Sequence, residues 1–124
     1  MIDFLKNTVL AVESAEELIP KEKKVEYDDG PGVEVHFYKG DEEIGKCSTC
    51  EFEGKKNAYL HALEVKKKHR RKGYGTRILK HMIDEYGCNV LRVAKSNDNA
   101  IRLYKRAGFK QTDEFNDKII TMRR

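Results

Sequence analysis

Six fixed cations stand within seven residues, Lys66 to Lys72, with only His69 breaking the run. Gly73 and Gly75 follow, and then an amphipathic stretch reaches Tyr86. Ahead of the cations, Leu60 to Val65 predicts a buried strand. A strand feeding a glycine turn that opens a helix makes a phosphate cradle. Glycine lets the backbone come close to a ligand, and the first N–H groups of a helix have no partner within it. The helix dipole adds partial positive charge at that point, and the lysines and arginines add whole charges. The predicted chemistry is the grip of an anionic, pyrophosphate-bearing cofactor. A solvated basic loop and a nucleic-acid patch are the plainer alternatives. The glycines and helix directly after the run favour cofactor phosphates.

The elements on either side must hold that loop in place. Residues 1–19 predict a helix, because Ile2, Leu5, Val9, Val12 and Ala15 recur at three- and four-residue steps, and Pro20 ends it. Residues 21–31 read as polar, with a turn at Asp28-Asp29-Gly30-Pro31-Gly32. Val33, Val35 and Phe37 alternate with Glu34, His36 and Tyr38, a half-buried strand. Lys39-Gly40-Asp41-Glu42 turns into a strand from Ile44 to Phe52. A second turn, Gly54 to Asn57, leads into Ala58 to Val65. Three antiparallel strands therefore enter the glycine loop. After it, Ile78, Leu79, Met82, Ile83 and Tyr86 form one helical stripe that Gly87 terminates. Val90 to Ala94 is an apolar strand broken by Arg92, expected parallel to Leu60–Val65. Ser96 or Asn97 caps a second helix through Ala107, with Ala100, Leu103, Tyr104 and Ala107 on its apolar face. Gly108 closes that helix. Phe109 to Thr112 and Lys118 to Met122 read as a last hairpin.

At 124 residues the chain is expected to form one domain, residues 1–124. Hydrophobic residues make up 39% and charged residues 37%, a soluble balance in which the net charge of +4 matters less than its clustering. No apolar run approaches the roughly 18 residues that a membrane span needs. The N-terminus lacks a convincing secretory signal, and an odd count of three cysteines points to a reducing cytoplasm. Cys47-Ser48-Thr49-Cys50 has the short spacing of zinc and redox sites. It lacks a second ligand pair and reads as strand, so no metal is expected.

Arg70-x-x-Gly73-x-Gly75, after a strand ending in Val65, resembles the acetyl-coenzyme-A motif of the GNAT acetyltransferases. Asn97-x-x-Ala100-x-x-Leu103-Tyr104-x-x-x-Gly108-Phe109 is similar to the family's second motif at its usual distance downstream. Together they cover roughly residues 58–112. The resemblance implies an α/β fold: a mixed, mostly antiparallel GNAT-like sheet flanked by helices, with a parallel strand pair splayed around a central cofactor cleft. It also implies acetyl-CoA as co-substrate. Loop groups of Arg70, Arg71, Lys72, Gly73, Tyr74, Gly75 and Thr76 would hold the pyrophosphate. Backbone groups of Leu63 and Val65 would bond the pantetheine arm, Asn97 would help position the cofactor, and Tyr104 would face the sulfur. Without the resemblance, Asn97 is a helix cap and Tyr104 a core tyrosine.

The implied reaction is attack of an amine on the thioester carbonyl. A preorganised donor is needed for the developing oxyanion, and the Val65 N–H is the candidate. Tyrosine ionises near 10, so Tyr104 is protonated at neutral pH and can act as general acid toward the leaving thiolate. The base is less obvious. Some relatives have a Glu where this chain has Arg92, and a cation cannot accept a proton. Glu64 and His61 are the candidates left. Strand alternation predicts that they point to opposite faces. Presenting an α-amine of pKa about 7.8 as neutral at pH 7 costs about 1 kcal/mol, against about 4.6 kcal/mol for a lysine of pKa about 10.4. A low-pKa amine, such as a protein N-terminus or a small-molecule amine, is therefore favoured.

Two competing functions remain open at this point: a non-catalytic acyl-CoA-binding or regulatory domain, and, less favoured, a basic nucleic-acid-binding module. The expected partners are acetyl-CoA and an amine acceptor, with no membrane, and the state is monomer or homodimer. Asp113, Glu114 and Asp117 are a solvated hairpin tip or an attraction for a cationic acceptor.

Overall fold

The computed structural model describes residues 17–28 and 30–124. The helix read over residues 1–19 lies largely outside them. Its last residue does not continue a helix, since Ile19 opens strand β1 (Ile19–Tyr27). This strand corrects the polar reading of residues 21–31. Only its C-terminal end is half-buried, so it carries almost no apolar alternation. It forms by pairing with β2 (Gly30–Lys39) over a register from Ile19↔Tyr38 to Tyr27↔Gly30. Pro20 is tolerated because β1 is an edge strand, and its lysines discourage pairing with another chain.

Strands β3 (Glu42–Phe52) and β4 (Lys55–Val65) extend the meander, so four antiparallel strands enter the loop rather than three. Helix α1 (Tyr74–Tyr86) crosses over to β5 (Val90–Ala94), which pairs parallel with β4 at Tyr59↔Val90. Helix α2 (Asp98–Arg106) then leads to β6 (Lys110–Glu114) and β7 (Ile119–Arg123). Among the described residues the sheet has seven strands in the order β1-β2-β3-β4-β5-β7-β6, mostly antiparallel with one parallel pair.

Right-handed crossovers from β4 to β5 and from β5 to β6 put both helices on one face. There Ile78, Leu79 and Met82 of α1 and Tyr104 of α2 share a core with Val35, Phe37, Leu60, Leu91 and Met122 of the sheet. The apolar stripe read on α1 is the buried one. Gly87 caps that helix in the left-handed region, its N–H donating to Ile83 O at 3.0 Å. Among the described residues no helix covers the opposite face.

Candidate active site: a split in the sheet

The split begins with a bulge. His61 pairs with Ser48 and Glu64 with Lys46, so Ala62 and Leu63 together stand opposite Cys47. Ala62 takes the left-handed φ of 56° that the extra residue requires. β4 presses so hard on β3 there that a Cβ on Gly45 would lie 2.4 Å from Glu64 O. Only glycine fits. Beyond Tyr59↔Val90 the register with β5 ends. Lys66 N–H donates to Ile44 O at 2.8 Å. Val65, opposite Gly45, is therefore at a non-hydrogen-bonded position, its backbone groups turned toward the side β5 has left.

The basic run divides its charges. Lys68 Nζ lies 2.5 Å and His69 Nε2 2.9 Å from Glu42 Oε2, at the start of β3. Those two partners hold the Glu42 carboxyl well below its ordinary range, at about 2. Arg70 Nε donates to Val65 O at 2.8 Å, folding the loop back onto the strand end. Arg71 is held at a φ of 64°, a conformation that non-glycine residues rarely adopt. Gly73, at φ 83°, caps α1 with no side-chain hydrogen bond, and no acidic residue sits in the first turn. The opening amides of α1 therefore face the cleft with a cationic surround.

Helix α2 supplies the other wall. Asn97 is its N-cap, Oδ1 accepting from Ala100 N–H at 3.2 Å. Tyr104 is 9% exposed and packs edge-on to Phe109 at 6.1 Å. Burial is the main cause that pushes its phenol up to about 12, with nearby Cys47 and Tyr59 adding to it. Between the walls lies a cleft of about 750 Å³. No Asp or Glu is among the described residues that line it, which suits a polyanionic ligand.

The structure places Leu63, Val65, Arg70, Arg71, Gly73, Tyr74, Gly75, Thr76, Asn97 and Tyr104 on the walls of this one cleft. Lys72 is exposed and stands outside the lining, as do His61 and Glu64. The expectation that His61 and Glu64 face opposite ways fails. The bulge inserts an extra residue between them, and their partners Ser48 and Lys46 share a face, so they do too. That face is the one turned away from the helices. His61 sits there against the rings of Tyr27 (5.1 Å) and Tyr59 (5.9 Å). His69, Asn99, Ala100, Leu103 and Arg106 also line the cleft. Asn99, Leu103 and Arg106 follow helical spacing, which is the signal that could have found Asn99 and Arg106. Cys47 and Cys50 are both buried within β3. Among the described residues no cluster of three or more His, Cys, Asp or Glu is arranged to hold a metal ion.

The model of the acetyltransferase (GNAT) family matches residues 6–109. The chain belongs to the GNAT acetyltransferase family. Solved structures agree on the fold. An acetyltransferase from Thermus thermophilus superposes with a TM-score of 0.66 at 18% identity, over 100% of this chain and 76% of that one. The ribosomal-protein-S18-alanine N-acetyltransferase of Escherichia coli gives 0.58 at 23% identity, over 73% and 66%. The yncA protein of Salmonella typhimurium, solved with its cofactor acetyl-CoA, gives 0.58 at 23% identity, over 73% and 62%. This GNAT chain thus spans under two thirds of the length of the last two. No protein of curated function matches it.

Proposed function

We propose that this GNAT chain transfers the acetyl group of acetyl-CoA to a low-pKa amine, either a protein N-terminus or a small molecule. The observation that carries the reading is the single cleft joining the α1 N-terminus, the β4 edge and Tyr104. The acetyl-CoA of the yncA structure and the alanine acceptor named for the Escherichia coli enzyme lend it support by likeness. Bound acetyl-CoA supplies an acyl group already activated as a thioester.

The residues here would do the rest. Amides of Gly73 to Thr76, with Arg70 and Arg71, take the pyrophosphate. Leu63 and Val65 offer backbone groups to the pantetheine arm, and Asn97 helps position the cofactor. The Val65 N–H donates to the acyl oxygen as charge develops on it. Tyr104, protonated throughout the neutral range, is the general acid toward sulfur. A phenol at about 12 that gave its proton outright to a thiolate of pKa about 8.5 would work uphill by roughly 5 kcal/mol. Tyr104 therefore acts best as a relay: it donates to sulfur while the attacking amine, which must lose a proton as the amide forms, makes up the balance. His61 or Glu64, on the face away from the helices, is the proposed acceptor of the earlier proton, the one an arriving ammonium loses to become the amine, directly or through water.

A non-catalytic acyl-CoA-binding role has one observation behind it, the cation Arg92 on β5. Nucleic-acid binding draws less support, because Lys68 and His69 are engaged with Glu42. Thermal shift with acetyl-CoA and thiol release with a panel of amines separate the three. Stabilisation with thiol release is the expected result. Stabilisation without release from any amine would leave the binding role, and salt-sensitive RNA binding without stabilisation the third.

A further inference from the structure

The sheet face turned away from the helices carries chemistry that holding the cofactor leaves unused. Arg92 lies two residues beyond the last β4–β5 pair, on the same face as Val90 and Tyr59. Its half-buried guanidinium is 4.0 Å from the ring of Phe115 and 5.4 Å from that of Phe52. Its Nε donates to Thr121 Oγ1 at 3.4 Å. Among the described residues no carboxylate lies within 4.0 Å of it, whereas neighbouring Arg123 has Glu53 at 3.6 Å. Aromatic contacts engage the flat faces of a guanidinium and leave its in-plane N–H edge, the edge that pairs bidentately with a carboxylate. Phe115, at the β6–β7 tip, is 53% exposed, so one side of its ring is open to an incoming molecule while the other meets Arg92.

This shelf adjoins the reacting end of the cleft. Phe52 stacks at 5.5 Å on Tyr59, the residue of β4 paired with β5 where the split begins. The acids of the last hairpin offer a cationic acceptor less than their number implies, since Glu114 Oε2 pairs with Lys95 Nζ at 2.8 Å.

We propose that Arg92, held by Phe52 and Phe115, recognises a carboxylate on the acceptor, so that the acceptor class is a carboxylate-bearing amine rather than a polyamine or basic peptide. This rests on the acetyltransferase reading above. Arg92 and Arg123, both beside the Phe52 ring, would repel a polycation.

The test compares acetylation of free amino acids with that of their carboxamides, each kcat/KM taken per neutral amine, because a free α-carboxylate raises the pKa of its own amine. Peptides with an acidic or a neutral second residue show whether the carboxylate comes from a free amino acid or a peptide side chain. In wild type, the acid of a matched pair is expected to show kcat/KM about tenfold or more above the amide, as a charge-assisted pair warrants. Arg92→Gln should bring the ratio near one by raising KM for the acid, with the thermal shift by acetyl-CoA retained. Arg92→Lys should keep part of the preference, and Phe115→Ala, at an exposed site, should weaken it without unfolding the protein. Equal or better use of the carboxamides, or a preference that survives Arg92→Gln, overturns the inference while the acetyltransferase reading stands. No thiol release from any amine, despite stabilisation by acetyl-CoA, overturns both.

Discussion

Tyr104 is buried enough to stay a phenol at any pH the protein meets. Turnover is therefore expected to rise with pH as the acceptor amine loses its proton, with no falling limb up to about pH 10, where an ordinary tyrosine would ionise. A limb near pH 8 to 9 in the thiol-release profile, roughly where a free thiol titrates, would assign the acid to another group. On the proposed roles, Tyr104→Phe should lower kcat by about a hundredfold, the lower range for a lost general acid, with acetyl-CoA affinity within about twofold by calorimetry, since the proposed grip on the cofactor is the loop's. The same burial has a stability consequence. The folded pKa lies above the unfolded value of about 10, so the stabilisation is complete below about pH 10 and lost as pH rises through about 12. Tyr104 was legible because its spacing from Asn97 and Gly108 matches a motif. Arg92 was legible only as a departure from one, because nothing in Leu91-Arg92-Val93 announces the rings of Phe52 and Phe115. Those contacts join β3, β5 and the last hairpin, far apart in the chain.

Among the elements, the β4–loop–α1 unit was the most readable, since glycines and helical periodicity are local signals. The bulge at Ala62 was not. Leu60 to Val65 reads as continuous strand, and the extra residue shows only against the β3 register. β1 was missed for a related reason: an exposed edge strand gains its order from its neighbour and needs no apolar face. Two predictions belong at this scale. Gly73→Ala puts a Cβ on a residue at φ 83° and should cost about 1 kcal/mol. A fall in Tm of about 4 °C in a melting scan checks it. Glu42→Gln should weaken acetyl-CoA binding by a few-fold, because Glu42 ties Lys68 and His69 to the start of β3. Its depressed carboxyl makes that tie a contribution present above the ordinary pKa of 4.5 and lost as pH falls toward about 2. Affinity in Glu42→Gln equal to wild type would show that the loop holds its shape unaided.

For the whole molecule, the asymmetry of the sheet organises the account. Both helices, the core and the cationic cleft lie toward one face, and the aromatic and arginine shelf lies on the other. The split between β4 and β5 joins the two, and in the proposed reaction a thioester held on one side meets an amine arriving from the other. The most direct test is amide chemical-shift mapping of the labelled protein during titration with acetyl-CoA. The account predicts saturable shifts largest at Gly73 to Thr76, with a second group at Leu63 to Val65. Shifts centred elsewhere, or none at saturating acetyl-CoA, would contradict it.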